Sequence, residues 1–189
     1  MSKHIITFDI EKRSAEENVN DCILEGYAIK YESPTVLFKD KNGPVYEVIK
    51  RGALDKADTS DVILNFNHDD SVLLARTSNG SLHLEDRAEG LYIRADVTNS
   101  PKGKEVYDMV SSGLLSKMSF SFTIADEKFD RSSRTREVRS IDRLYDVSVV
   151  TFPAYDDTSV VALRKAISDE EKNSLRKQEL LDKFFKEDK

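Results

Sequence analysis

The sequence predicts a mainly β fold with some α (α+β), a closed or nearly closed β-barrel with a few helices packed outside. Three observations carry that expectation. Short apolar runs of strand length recur from His4 to Thr151, too brief for helices and bounded by turn residues. Tight-turn signals separate them, at Lys41-Asn42-Gly43-Pro44, Ser78-Asn79-Gly80 and Ala88-Glu89-Gly90. Ahead of residue 164, only Ser100 to Gly113 carries the start, stripe and stop of a long helix. Many short strands with few helices leave sheet edges to protect, and closure removes them.

The elements follow in order. His4–Asp9 is a first strand, and 11–21 is a polar loop or exposed edge. Cys22–Tyr31 is the next strand, with Gly26 marking a bulge or a close backbone approach. A turn at Pro34 leads to Val36-Leu37-Phe38, and the Asn42-Gly43 turn leads to Val45-Tyr46. Glu47–Leu54 fits a short helical turn that ends at Gly52. Strands are then expected at Val62–Phe66, Val72–Arg76, Ser81–Leu84 and Leu91–Val97, with hairpin turns at Ser78–Gly80 and Ala88–Gly90.

In the helix, Ser100 is the cap, Pro101 suits the first turn and Gly113 ends it. Val106, Met109 and Val110 form its buried stripe, while Lys102 and Lys104 oppose the helix dipole. Strand Lys117–Ile124 follows. The charged stretch Asp126–Arg136 reads as an exposed hairpin arm, leading into Glu137–Ile141 and Arg143–Thr151 before Pro153 ends the last strand.

Composition sets the bounds. The 189 residues suit one domain, here 1–163, followed by a charged helix or tail over 164–189. That tail holds eight Lys or Arg and seven Asp or Glu. Ser168 with Glu171 forms a capping-box pattern before an apolar stripe of Leu175, Leu180, Leu181 and Phe184. It suits a solvated tail or a helix that docks to a partner.

The net charge of −6 speaks against a general nucleic-acid binder. The single Cys22 excludes an internal disulfide and a cysteine metal cluster, which fits a reducing cytoplasm. No apolar run reaches the roughly 20 residues of a membrane helix, and no signal-peptide pattern opens the chain. The expectation is a soluble intracellular protein with neither a nucleic-acid nor a membrane partner.

The chemistry gathers on three stretches. In Met118-Ser119-Phe120-Ser121-Phe122 the hydroxyls share one strand face and the apolar side chains the other. A hydroxyl fixed on a rigid strand is a nucleophile when a base lies within reach. Strand geometry alone leaves Ser119 and Ser121 equivalent, and a plain polar face is the bland alternative. His68 follows an apolar strand, and histidine is the side-chain type best suited to accept a hydroxyl proton and give it back. His83 resembles an outward strand position, and His4 has no acid pattern nearby.

Asp146 lies in Leu144-Tyr145-Asp146-Val147-Ser148-Val149-Val150, on one face with Leu144, Ser148 and Val150. An acid among apolar neighbours needs a partner. Orienting an imidazole would satisfy it, and so would a salt bridge to Arg143 or Arg139. The three scattered histidines lack metal-ligand spacing, so no metal or cofactor is expected.

These residues resemble the prohead maturation proteases of tailed phages, a serine peptidase family similar in fold to herpesvirus assemblin. The resemblance runs from about Gly26 to Val161. It includes Gly26-Tyr27-Ala28, the Glu47–Leu54 stretch, Leu64-Asn65-Phe66-Asn67-His68-Asp69 and Leu74-Ala75-Arg76. Gly90-Leu91-Tyr92, Gly113–Phe122 and Leu144–Ala154 complete it.

The resemblance implies His68 as base, Ser119 as nucleophile and Asp146 as third member, where the herpesvirus relatives carry a second histidine. It departs from the family at Ser121, where Gly is frequent, and at Ala75, where Leu-Gly-Arg is frequent. It implies a serine endopeptidase that cleaves scaffolding protein, or the scaffolding segment of the major capsid protein, and also itself. It further implies a homodimer, a site inside the immature capsid in the host cytoplasm, phage- or prophage-encoded, and backbone amides after Pro153 as oxyanion donors.

A non-catalytic capsid-assembly or scaffold-binding protein is the alternative from another class. A nucleic-acid-binding barrel and a small-molecule esterase are further ones, although the chain has no Gly-x-Ser-x-Gly elbow.

Overall fold

Two long strands form the spine of the molecule. β9 (Lys117–Asp130) and β10 (Thr135–Val150) are an antiparallel hairpin of 14 and 16 residues. In this computed structural model the description covers residues 4–11, by backbone alone, and 22–151. The expected 164–189 tail, with its capping box and stripe, lies outside the described residues.

The remaining strands are β1 (His4–Glu11), β2 (Ile23–Lys30), β3 (Thr35–Asp40) and β4 (Gly43–Ile49), then β5 (Ile63–Phe66), β6 (Asp69–Arg76), β7 (Leu82–Arg87) and β8 (Gly90–Asp96). One helix, α1 (Gly103–Ser111), joins β8 to β9. The sheet runs β3-β4-β10-β9-β1-β2-β8-β7, and β5 with β6 branches from β10. The fold is therefore mainly β. Among the described residues no pairing joins β7 to β3, so the hydrogen-bonded path stays open.

β10 is the shared member. On one edge it pairs with β9. On the other it takes β4 in parallel over Thr135–Val138 and β5 in parallel over Asp146–Val149. The segment between β4 and β5 runs along the gap. Ile141 N–H donates to the Ala53 carbonyl at 2.8 Å, and Leu144 N–H donates to the Asp58 carbonyl at 3.1 Å. Backbone groups along the buried strand are thereby satisfied, as a core strand requires.

Met118, Phe120 and Phe122 point into one core with Ile29, Leu64, Ile93, Leu144 and Val147. Phe120 and Phe122 stack with centroids 5.0 Å apart. Each such side chain gains about 1.5–3 kcal/mol from burial. α1 closes this core with Val106 and Val110, and Gly103 lets it approach β8. A Cβ there would lie 1.7 Å from the Val97 carbonyl oxygen.

Several expectations change. Glu47–Leu54 forms no helical turn: its first half ends β4, because pairing with β10 recruits the backbone, and turns follow from Arg51. Ser78-Asn79-Gly80 belongs to a 3-10 turn over Thr77–Asn79, and it links β6 and β7, which do not pair with each other. Ala88-Glu89, by contrast, does join a hairpin, with Arg87 opposite Gly90.

The bulge expected at Gly26 sits between Tyr27 and Ile29 instead, while Gly26 pairs regularly with Ile93. Ser100 does not cap α1; its hydroxyl donates to the Leu73 carbonyl at 2.8 Å, and α1 starts later. Lys102 and Lys104 offset their poor dipole positions through pairs with Glu105 and Asp108, both at 2.7 Å. Within the Asp126–Arg136 arm, Arg136 is buried rather than exposed. It pairs with Glu127 at 2.5 Å and with buried Glu47 at 3.1 Å.

Candidate active site

Pairing register decides what faces what on the polar side of β9. Ser119 stands opposite Ser148 of β10, and Ser121 stands opposite Asp146. Leu144, two residues before Asp146, stands opposite Phe122 on the other face. A bulge between Leu144 and Asp146 causes this, because one extra residue shifts the alternation of a strand by one. Asp146 thus shares a face with Ser148 and Val150 as expected, but not with Leu144. Both faces of β9 are buried here: Ser119, Ser121, Asp146 and Ser148 are each at most 1% exposed.

His68 arrives from a two-residue turn. Phe66 of β5 pairs with Asp69 of β6, and Asn67 and His68 between them both have φ of 55°. Positive φ at both central residues is the type I′ pattern that fits hairpin twist. Asn tolerates it well; a histidine does so at a cost met by its surroundings.

Those surroundings are β10 and its end. His68 N–H donates to Ser148 Oγ at 2.9 Å, and Asn67 N–H donates to the Val149 carbonyl at 2.9 Å. Asn67 and Thr151 exchange two more bonds: Asn67 Nδ2 donates to Thr151 Oγ1 at 3.1 Å, and Thr151 N–H donates to Asn67 Oδ1 at 2.8 Å.

The ring of His68 then lies between two groups. Its Nδ1 is 2.6 Å from Asp146 Oδ1, and its Nε2 is 2.8 Å from Ser119 Oγ. A carboxylate at Nδ1 favours the tautomer with the proton there, which leaves Nε2 free to accept from Ser119. The ring is 17% exposed while Asp146 is 1% exposed, so the site opens at the histidine and seals behind the acid. The second oxygen of that acid, Oδ2, accepts the Ser121 hydroxyl.

All three expected site residues are therefore brought together, and Ser121 is separated from Ser119 by its partner. The rival partners of Asp146 go elsewhere. Arg143 approaches Asp58 at 3.6 Å, and Arg139 lies 3.9 Å from both Asp126 and Glu137. His83 lies exposed on β7, opposite Arg94, far along the sheet path from β9. Of His4 the backbone pairs with Phe122 of β9. The loop after Pro153, the expected source of oxyanion donors, lies outside the described residues.

Ser148, Asn67 and Thr151, which hold the turn that carries His68, are contacts that sequence reasoning missed. Only the Asn-His pair ahead of two acids hinted at a type I′ turn. Asn65 is fully buried level with Ser148, and its Nδ2 donates to Asp70 Oδ1 at 3.1 Å. Among the described residues, no group of three or more His, Cys, Asp or Glu side chains is placed to hold a metal ion.

Comparison with known proteins adds to this geometry. The model of one family, described as the caudovirus prohead serine protease, matches residues 8–173. The prohead protease of Enterobacteria phage HK97 is 27% identical over 146 residues, covering 75% of this chain and 60% of that protein. The chain thus spans about three-fifths of that relative's length. The solved capsid assembly protease of bacteriophage T4 is similar at a TM-score of 0.49 and 15% identity, covering 78% of this chain and 96% of that one.

Proposed function

Because the chain belongs to the caudovirus prohead serine protease family, we propose that it is a serine endopeptidase with Ser119 as nucleophile, His68 as general base and Asp146 as the acid that orients His68. One observation carries the reading: His68 lies 2.8 Å from Ser119 Oγ through Nε2 and 2.6 Å from Asp146 Oδ1 through Nδ1. A buried hydroxyl on a rigid strand, a half-open imidazole and a sealed carboxylate form the arrangement that acyl transfer needs.

The chemistry follows from those atoms. Ser119 Oγ attacks the carbonyl carbon of the scissile peptide as its proton passes to His68 Nε2. The tetrahedral intermediate collapses, His68 gives that proton to the departing amine, and an acyl-Ser119 ester remains. Water, deprotonated by the same nitrogen, attacks the ester; as the second tetrahedral intermediate collapses the carboxylic acid product leaves and His68 returns the proton to Ser119 Oγ. Asp146 holds the ring and stabilises the imidazolium in both steps. Backbone amides after Pro153 are proposed donors to the oxyanion, by analogy with the family.

The proposed substrates are scaffolding protein or the scaffolding segment of the major capsid protein, within the immature capsid in the host cytoplasm, together with the chain itself. A homodimer and a barrel-like curl of the sheet belong to the same reading. The single core reached from β2, β4–β10 and α1 supports the curl.

The test is a fluorophosphonate probe with peptide mapping, beside Ser119→Ala and His68→Ala, followed by co-expression with the cognate capsid protein. An adduct on Ser119 that is lost in both variants is expected, as is capsid protein cut by the wild type alone. Capsid protein left uncut by wild type in assembled shells would overturn the protease reading in favour of a binding role.

A further inference from the structure

We infer that Ser121 is a positioning residue, a fourth member of the site that locks the Asp146 carboxylate and through it the ring of His68. The inference rests on the reading of Ser119 and His68 as nucleophile and base, and it gives the second hydroxyl of β9 a different task. Ser121 is fully buried and stands opposite Asp146 in the β9–β10 register. Its hydroxyl meets Asp146 Oδ2, while Oδ1 of the same carboxylate faces His68 Nδ1 at 2.6 Å.

An ionised carboxylate only accepts, so the proton between the two oxygens belongs to Ser121. That settles the direction of the bond and gives two consequences. A carboxylate at 1% exposure needs donors on its oxygens to stay charged. With His68 on Oδ1 and Ser121 on Oδ2, both oxygens are engaged. The carboxylate plane is also pinned at both ends, so Oδ1 cannot swing away from the ring. On the other flank of β10, Asp146 is level with Ile63 of β5, an apolar residue.

A chain runs across the hairpin: Ser121 to Asp146, Asp146 to His68, His68 to Ser119. Its two hydroxyls are two residues apart on one strand, and its acid and base come from β10 and from the β5–β6 turn. Ser121 is thereby turned away from nucleophilic duty, since its proton is committed to the acid rather than to the imidazole.

The test uses the whole chain and two readouts. The first is the rate of fluorophosphonate labelling at Ser119. The second is the low-field proton resonance of the His68–Asp146 bond, assigned by its loss in His68→Ala and observable without any substrate. Ser121→Ala is expected to slow labelling about 10–100-fold, the range for one hydrogen bond to a charged group. The resonance should shift or broaden in that variant while the rest of the spectrum stays folded. Ser121→Thr, which keeps the hydroxyl, should recover both signals.

Wild-type labelling rate and an unmoved resonance in Ser121→Ala would overturn the inference, leaving Ser121 a packing residue. An adduct on Ser121 in the wild type would overturn it as well. Loss of labelling in Ser119→Ala and His68→Ala is read separately, so the triad can stand while the fourth member falls.

Discussion

Asp146 stands across the β9–β10 hairpin from Ser121, whereas Leu144, two residues earlier, stands across from Phe122. The bulge between them turns the acid onto the serine face without moving Leu144 out of the core. A regular strand would have set the carboxylate among Met118, Phe120 and Phe122. The candidate site therefore depends on one irregularity of pairing.

Asp146→Asn keeps the shape but can donate where His68 Nδ1 also donates, which favours the wrong tautomer. We expect a folded protein whose labelling or cleavage rate falls by roughly 10⁴-fold, as for the equivalent change in a serine protease triad. Circular dichroism beside the rate measurement separates this from unfolding.

The turn that carries His68 is held by Asn67, Ser148 and Thr151. Asn67→Ala removes both bonds to Thr151 and puts a residue with less left-handed tolerance at a φ of 55°. It should cost about 1–2 kcal/mol of stability and slow labelling as well. Asn67→Gly, which tolerates the angle, should be milder in denaturant melts. Equal losses in the two variants would count against backbone strain.

Arg136 sits between Glu47 and Glu127 with its side chain 3% exposed. Arg136→Met leaves two carboxylates without that guanidinium in a low-dielectric setting, for an expected loss of about 3–5 kcal/mol. The double variant Arg136→Met with Glu47→Leu should recover part of it, because one buried charge goes too. Urea midpoints of the pair test this.

Two partly exposed acids give a pH signature. The Arg76 guanidinium hydrogen-bonded to Asp61 holds that carboxyl down at about 2, and the Ser132 hydroxyl and amide, with Ser133, hold Asp130 at about 2. Both values lie below the ordinary 3.8. Their contribution to stability is therefore fully present above that value and is lost as pH falls through about 2. Urea midpoints should show no change from these groups between pH 7 and 5 and a decline below 4, and Asp61→Asn should flatten part of it. A decline already complete at pH 5 would contradict the assignment.

Much of this protein was legible in residue order. Period-two alternation at Met118–Phe122 set apolar and hydroxyl side chains on opposite faces, because strand side chains alternate whatever else the chain does. Asn42-Gly43 and Glu89-Gly90 marked two true hairpins, with positive φ at both glycines, whereas Asn79-Gly80 marked a link between strands that do not pair. Of the three candidate site residues, only Asp146 stood out by itself, as an acid among apolar neighbours; His68 and Ser119 were singled out by the family resemblance.

Tertiary pairing decided the rest. Glu47 became part of a strand because β10 offered its edge, and Ser100 gave up its cap for the Leu73 carbonyl. Arg136 went inside because two acids awaited it. Most of all, Ser119 and Ser121 are equivalent along β9, and strand alternation could not part them; only the family resemblance favoured Ser119. The register with β10 parted them, setting Asp146 beside one while the β5–β6 turn delivered His68 to the other. A strand's own alternation fixes only which side chains share a face; which of them meets a base is fixed by bulges and turns in the strands beside it.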